Sequence, residues 1–271
     1  MRTCLALITL ILLGTSCGTD TSPEAGSEPL PAVASVQQRD SLREAYLTYY
    51  AQMPDTFPQR CRPEAGRLNP ADEAPRDTAF FVFREYMREV VAERDIFKLL
   101  PLIDQDIKIG FGAENGLADF IRMWDLTEPE KVTQSRIWTT LEDILGLGGA
   151  FSNGGNGRYF EAPYLGPCWP DDVDPFEYGA ITGAGVRLRS APSLQSQIVK
   201  VMSYDIVAYL ETTSVEMALN GRNRPWIKVK TLDGLEGYVY GQFYRSSTDF
   251  RAAFSPDGAG NWRMVTLLAG D

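Results

Sequence analysis

The chain has 271 residues and no histidine, with 26 Lys and Arg against 36 Asp and Glu. The lack of histidine excludes Ser-His-Asp and Cys-His nucleophilic sites and any metal site that needs imidazole. A formal net charge of −10 argues against nucleic acid as a partner, because phosphates favour a surplus of Lys and Arg. No cofactor is predicted.

The first sixteen residues predict a secretory signal. Arg2 forms a positive n-region, residues 5–13 form an apolar segment too short to span a bilayer, and small residues follow. The run LLGTSC ending at Cys17 resembles a bacterial lipoprotein signal, which implies lipidation of Cys17, export and membrane anchoring in the bacterial cell envelope. Gly14 stands where that family usually has a large aliphatic residue. Cleavage after Ser16 and release as a soluble secreted or periplasmic protein is the alternative.

Cysteine pairing agrees with an acylated Cys17. Cys4 leaves with the signal, so that Cys61 and Cys168 remain as an even pair. In an oxidising compartment such a pair predicts a disulfide. Two separate buried thiols are the alternative, because the sequence does not show that the two cysteines meet.

Residues 17–38 predict a flexible tether, since they are rich in Ser, Thr, Pro, Gly and Ala and lack hydrophobic periodicity. A short helix is expected near 39–52. Repeated X-Pro pairs exclude regular helix from 53–77.

Residues 78–178 predict a helix-rich region. Apolar residues three and four positions apart between Phe80 and Val91 indicate an amphipathic helix, and alternation indicates a strand that ends near Phe111. Further segments share clear local patterns: short helices near 97–100, 116–124 and 135–145, an extended stretch near 158–164, and a proline-rich acidic turn at 167–179.

From Ala180 onward the apolar residues alternate with period two, which is typical of a small β-barrel or sandwich. Leu232-Asp233-Gly234 indicates a hairpin turn. Short strands are predicted at 180–189, 197–202, 206–212, 225–231 and 235–240.

Three blocks of this region stand in a recognisable order: GVRLRSAPS at 185–193, VAYLE at 207–211 and RPWIKVKTLDGLEGYVYGQFY at 224–244. Together they resemble a bacterial SH3-like (SH3b) domain, a module often appended to cell-wall proteins. The resemblance implies a small barrel that binds peptidoglycan or a protein partner. Tyr238 replaces the usual second Trp, and the run TTSVEMALNGRNR lengthens a loop beside the ligand groove.

Alternation within this module places five side chains on the face that points away from the apolar core: Arg187, Arg189, Trp226, Tyr238 and Tyr240. Aromatic rings beside cations suit an extended peptide with carboxylates, such as a cell-wall stem peptide. The alternative is that the rings cover the barrel edge or pack against another domain.

Residues 249–271 predict a second hairpin, while the strand at 106–111 has no obvious neighbour. A lone strand is unstable, so we expect this hairpin to complete its sheet. The predicted fold class is α+β: a domain of residues 39–178 and 248–271, with the SH3-like barrel of 179–247 inserted. The order of helices, strand and late hairpin resembles the NTF2-like fold, a cone-shaped sheet covered by helices.

The expected function is that of a non-enzymatic envelope lipoprotein; the alternatives are a carboxylate-dependent cell-wall hydrolase and a structural assembly protein. Five carboxylates stand near structured segments: Asp104, Asp106, Glu114, Asp119 and Glu161. Their spacing matches no catalytic motif, so no catalytic residue is predicted. Oxygens of the acidic turn at 171–177 suit Ca²⁺, but the turn lacks EF-hand spacing, so no metal site is predicted.

Overall fold

The computed structural model describes residues 36–51, 61, 64–154, 157–219 and 221–270. The α-helices of these residues are α1 (Val36–Ala51), α2 (Thr78–Glu93), α3 (Ile96–Leu99), α4 (Leu117–Met123), α5 (Pro129–Val132), α6 (Ile137–Leu145) and α7 (Leu165–Cys168). Short 3-10 helices in the same residues lie at Ala74–Arg76, Leu100–Leu102 and Gly241–Phe243.

The strands of the described residues are β1 (Ile103–Lys108), β2 (Ala150–Gly154), β3 (Gly157–Ala162), β4 (Tyr178–Ile181), β5 (Val186–Arg189), β6 (Ile198–Met202), β7 (Ile206–Leu219), β8 (Arg222–Thr231), β9 (Glu236–Tyr240), β10 (Tyr244–Ser246), β11 (Arg251–Pro256) and β12 (Trp262–Leu268). They form two sheets, of five and seven strands.

The five-stranded sheet has the order β1-β12-β11-β3-β2. Its centre is the C-terminal hairpin of β11 and β12. On its two sides, β11 pairs antiparallel with β3 and β12 pairs parallel with β1. Strand β1 is therefore not a lone strand. The predicted α+β fold class, with a sheet completed by the C-terminal hairpin, is confirmed.

Helix α2 packs on this sheet through an aromatic cluster. The helix begins after Asp77, whose carboxylate accepts a hydrogen bond of 2.9 Å from the N–H of Phe80. The ring centroid of Phe80 lies 4.2 Å from that of Phe160 on β3 and 4.8 Å from that of Trp262 on β12. Phe254 of β11 joins the same fully buried cluster. Burying each such ring contributes roughly 1.5–3 kcal/mol.

A buried guanidinium fixes the segment before α2 to that helix. Arg84 of α2 lies 2.6 Å from the carboxylate of Asp72 and 3.0 Å from that of Glu85. Burial lowers the pKa of Arg84, but the two carboxylates outweigh it, so that the net pKa is raised. Arg84 therefore stays charged, and both of its neighbours hold it in place.

The seven-stranded sheet has the order β10-β4-β7-β8-β9-β5-β6 and curls around one apolar cluster. Eight buried side chains form this cluster: Ile181, Val186, Leu188, Met202, Val207, Ile227, Val229 and Val239. The single strand predicted at 180–189 is two strands, because the chain turns at Gly185 with a φ of 68°. That left-handed conformation favours glycine.

The run TTSVEMALNGRNR does not form a loop as expected. It extends β7 to Leu219 and starts β8 at Arg222, so that the two strands form a long antiparallel ribbon. The β-branched residues Thr212, Thr213 and Val215 suit strand geometry. We call the part of this ribbon from residue 212 to residue 224 the ribbon extension.

Cys61 and Cys168 form the predicted disulfide, with Cα atoms 4.8 Å apart at a sequence separation of 107. An apolar cluster beside it contains Tyr164 and Leu165 from the α7 region together with Ala180 and Ile206 from the seven-stranded sheet. This cluster thus holds the α7 region against the sheet, and the disulfide joins α7 to the segment at Cys61. The alternative of two separate buried thiols is therefore wrong.

Several predictions concern residues beyond the described ones. The signal at 1–16, Cys17 and the tether up to residue 35 lie outside the described residues. None of the helices in the described ranges is long and apolar enough to cross a membrane. The domain limits and the resemblance to the NTF2-like fold stay predictions.

The central position of the C-terminal hairpin predicts the effect of Phe254→Ala. Removing this fully buried ring leaves a cavity between α2 and the sheet and should lower the free energy of unfolding by about 3–5 kcal/mol. Urea denaturation measures the loss. The matched control is Phe97→Ala, since Phe97 is 83% exposed, with an expected change within about 0.5 kcal/mol. Equal unfolding free energies for the two variants would contradict this role of the hairpin.

Candidate functional site

The candidate site is the face of β5, β6, β8 and β9 that points away from the apolar cluster, which we call the outer face. Cross-strand register places Trp226 opposite Tyr240, and Tyr238 between Lys228 and Arg189. In the neighbouring pair, Arg187 of β5 lies opposite Val201 of β6. Because side chains alternate along each strand, Val199 lies on the same face as Val201.

Two of the predicted rings are buried. Trp226 is 1% exposed, and its ring meets that of Tyr240 edge-on at a centroid distance of 6.0 Å. The hydroxyl of Tyr240 lies 3.0 Å from the carbonyl oxygen of Met217 and 2.7 Å from that of Arg222. The ribbon extension therefore covers Tyr240. The two rings thus stabilise the outer face, and the accessible side chains of that face are its other residues.

Arg189 is also buried, and it has a local partner. Its guanidinium donates a hydrogen bond of 2.8 Å to the carbonyl oxygen of Ser196. Ser196 in turn donates from its hydroxyl to the carbonyls of Ala191 and Ser193 at 2.8 Å. Arg189 thus orders the loop between β5 and β6 and so fixes the position of β6.

The accessible part of the outer face centres on Arg187, which is exposed. Val201, opposite it, is 59% exposed, and Val199 is exposed as well. Tyr238 and Lys228 are half-buried, and the ammonium of Lys228 lies 3.5 Å from the carboxylate of Glu236. The exposed cation of this face thus lies opposite an exposed valine, whereas the prediction placed aromatic rings beside the cations.

Strand β6 forms one edge of the seven-stranded sheet. Among the described strands it pairs with β5 alone, so that its other edge is open. Such an edge presents unpaired N–H and C=O groups that can pair with an added strand. Sequence reasoning missed Val199 and Val201, although their alternation in the run IVKVM carried the signal.

A cleft lies between α6 and the seven-stranded sheet. It has a volume of about 450 Å³ and is lined by charged side chains from both elements. Arg222 of the ribbon extension forms ion pairs with Glu142 and Asp143 of α6, and Arg224 also pairs with Asp143. These contacts join the ribbon extension to the α+β domain.

Of the five carboxylates considered for catalysis, Glu114 and Asp119 line one open cleft, in which Asp119 forms an ion pair with Arg122. Asp104 accepts a hydrogen bond of 2.9 Å from the backbone N–H of Asp106.

Burial raises the pKa of Glu161 on β3, and hydrogen bonds with Ser152 and Tyr159, together with the charge of Arg251, partly offset that rise. Within the described ranges, no group of three or more Cys, Asp or Glu side chains is arranged to hold a metal ion.

Comparison with known families finds one match, to a model described as the bacterial SH3 domain, over residues 184–244. Searches of the curated proteins and of the solved structures find no significant match. The matched range contains all five residues predicted for the ligand surface and strands β5 to β9. Such a domain is a cell-wall or protein binding module. Residues 184–244 of this chain therefore form a bacterial SH3 domain, held beside a five-stranded α+β domain.

Proposed function

We propose that this chain is a non-enzymatic lipoprotein of the bacterial cell envelope whose SH3 domain binds peptidoglycan or a partner protein through its outer face. The observation that carries this proposal is the exposed Arg187 beside Val199 and Val201 on the open edge of a bacterial SH3 domain. Trp226 and Tyr240 lie on the same face, and their buried rings stabilise it.

The ligand that fits best is an extended peptide with a carboxylate. Its backbone pairs with the open edge of β6, as in other cases of strand addition. The guanidinium of Arg187 binds a carboxylate in a bidentate manner, and the two valines contact small apolar side chains. A cell-wall stem peptide has both features.

Anchoring rests on the N-terminal segment. The signal that ends in LLGTSC supports lipidation of Cys17, and the segment between Cys17 and α1 has the length and composition to hold the folded part of the chain away from a membrane surface. The SH3 domain then reaches the cell wall while the lipid stays in the membrane.

The outer face predicts the effect of Arg187→Ala on binding to purified peptidoglycan sacculi. Loss of the carboxylate contact should weaken binding at least about tenfold, measured by co-sedimentation over a range of sacculus concentrations. The matched control is Arg43→Ala, which removes an exposed arginine from α1. Amidase-treated sacculi, whose stem peptides are removed, should no longer bind the wild type. Equal binding by both variants, or full binding to treated sacculi, would refute the proposed ligand.

Trp226→Ala tests whether the buried ring supports the outer face. Because Trp226 is 1% exposed, its truncation should lower the free energy of unfolding by about 3–5 kcal/mol. Urea denaturation measures the change, and Tyr238→Ala on the same face is the comparison, with a smaller loss expected from a half-buried side chain. An unchanged unfolding free energy together with lost sacculus binding would show that Trp226 itself contacts the ligand.

Anchoring predicts that Cys17→Ser releases the protein from the membrane fraction, because it removes the only lipid attachment proposed. Cell fractionation followed by immunoblotting measures the distribution. Cys61→Ser serves as a control that also loses a cysteine but keeps Cys17, and it should remain with the membrane. Retention of Cys17→Ser in the membrane fraction would contradict a lipid anchor.

A further inference from the structure

Arg187 is an exposed cation of the outer face that lacks a counter-ion in the described part of the chain. Two neighbouring cations have partners, since the ammonium of Lys228 lies 3.5 Å from the carboxylate of Glu236 and that of Lys200 lies 2.9 Å from that of Asp233. Arg187 forms no ion pair with any of the described residues. Its guanidinium is therefore available to an anionic group of a ligand.

The accessible side of Arg187 is the side of the sheet edge. Arg189 lies opposite Tyr238 of β9. The same antiparallel register places Tyr240 beside Arg187, and the ribbon extension covers this ring. On its other side, Arg187 lies opposite Val201 of β6, which is 59% exposed. A group that binds Arg187 therefore approaches across β6 and its open edge.

The distance across this edge limits where a ligand carries its carboxylate. A strand added to β6 lies two strand spacings from β5, or about 9.6 Å. An extended arginine side chain with its apolar stem along Val201 covers most of that distance. The guanidinium thus ends close to the main chain of the added strand. A carboxylate joined directly to that main chain meets it without a flexible linker and avoids the loss of side-chain freedom on binding.

The direction of the carboxylate also decides the fit. Side chains project from the face of a sheet, whereas a C-terminal carboxylate continues the line of the strand. Arg187 lies on the outer face, so it fits a carboxylate that branches from the main chain at a side-chain position. In an α-linked peptide, at least one methylene separates an acidic group from the main chain. A γ-linked glutamate instead passes its main chain through the side chain and leaves its α-carboxylate as a direct branch.

We propose that the outer face selects a peptide with a γ-linked glutamate, whose free α-carboxylate is bound by Arg187 while the peptide pairs with the edge of β6. Small apolar residues of the peptide contact Val199 and Val201. This inference rests on the proposed function and narrows it, because a peptidoglycan stem peptide carries such a glutamate, whereas a strand of a partner protein does not.

Isothermal titration of the full-length protein in detergent tests the proposal with three peptides, each built with D-glutamate: alanyl-γ-glutamyl-lysyl-alanine, its form with an α-carboxamide (isoglutamine), and the α-linked isomer. The isomer has the same composition and charge, so it is the matched control for the linkage. The γ-linked peptide should bind at millimolar concentration, the amidated form at least about tenfold more weakly and the isomer at least about threefold more weakly. Equal binding of the γ-linked peptide and either of the others would overturn the proposal.

Substitution of Arg187 locates the discrimination. Arg187→Gln removes the charge, so that the γ-linked peptide and its amidated form should bind with affinities that agree within about twofold. Arg187→Lys keeps the charge but not the planar fork and should give an intermediate ratio. Arg43→Ala, on α1, should keep the wild-type ratio. An unchanged ratio in Arg187→Gln, with its fold confirmed by circular dichroism, would refute the assignment.

Sacculus binding, measured in parallel, separates failure of this inference from failure of the proposed function. If sacculi bind but none of the three peptides does, the inference is wrong and the binding of peptidoglycan stands. If neither sacculi nor peptides bind, both are wrong.

Discussion

The pairing of the C-terminal hairpin with β1 and β3 is the constraint on which the rest of the structure depends. The chain has to leave the α+β domain after α7, form the SH3 domain and return to the centre of the first sheet. The SH3 domain is thereby fixed at both ends. The strands that lead into it and out of it, β4 and β10, pair directly, with Ile181 opposite Tyr244 and Gly179 opposite Ser246. A Cβ at Gly179 would lie 2.5 Å from the ring of Tyr244, so that only glycine allows this close approach.

The contact between the two sheets combines several modest contributions. The apolar cluster around Tyr164 and Ile206 buries apolar side chains from both sides of this contact. The ion pairs of Arg222 and Arg224 with α6 are partly exposed, so they add orientation more than stability. A charge pair demands one geometry, whereas apolar side chains tolerate sliding. The ribbon extension therefore holds the SH3 domain in one orientation and shapes the cleft at the same time.

The sequence predicted those features of the fold that depend on alternation and strand pairing. Period two identified the apolar cluster with Val186, Ile227 and Val239, and the instability of a lone strand predicted the role of the hairpin. Alternation shows which face a side chain takes but not what covers that face. It therefore assigned Trp226 and Tyr240 to the same face without revealing that both are buried.

Other features depended on contacts between distant residues. The run TTSVEMALNGRNR predicts a loop, because its polar residues alternate poorly with apolar ones. Its strands are fixed by ladder pairing and by ion pairs with α6, about eighty residues earlier in the chain. The amide oxygen of Gln242 and the Nε of Arg245 are buried without a hydrogen-bond partner among the described residues, which is likewise invisible in sequence, since only packing reveals that a polar atom lacks a partner.

The ribbon extension connects the outer face with the cleft beside α6. Its backbone carbonyls at Met217 and Arg222 accept from the hydroxyl of Tyr240 on the outer face, while the side chains of Arg222 and Arg224 form one wall of the cleft. The next residue after Tyr240, Gly241, also lines the cleft, and a Cβ there would lie 2.5 Å from the carbonyl oxygen of Pro225 on β8. Gly241 therefore packs closely against β8. Arg222 takes part in both contacts, since its side chain pairs with Asp143 and its carbonyl oxygen accepts from Tyr240.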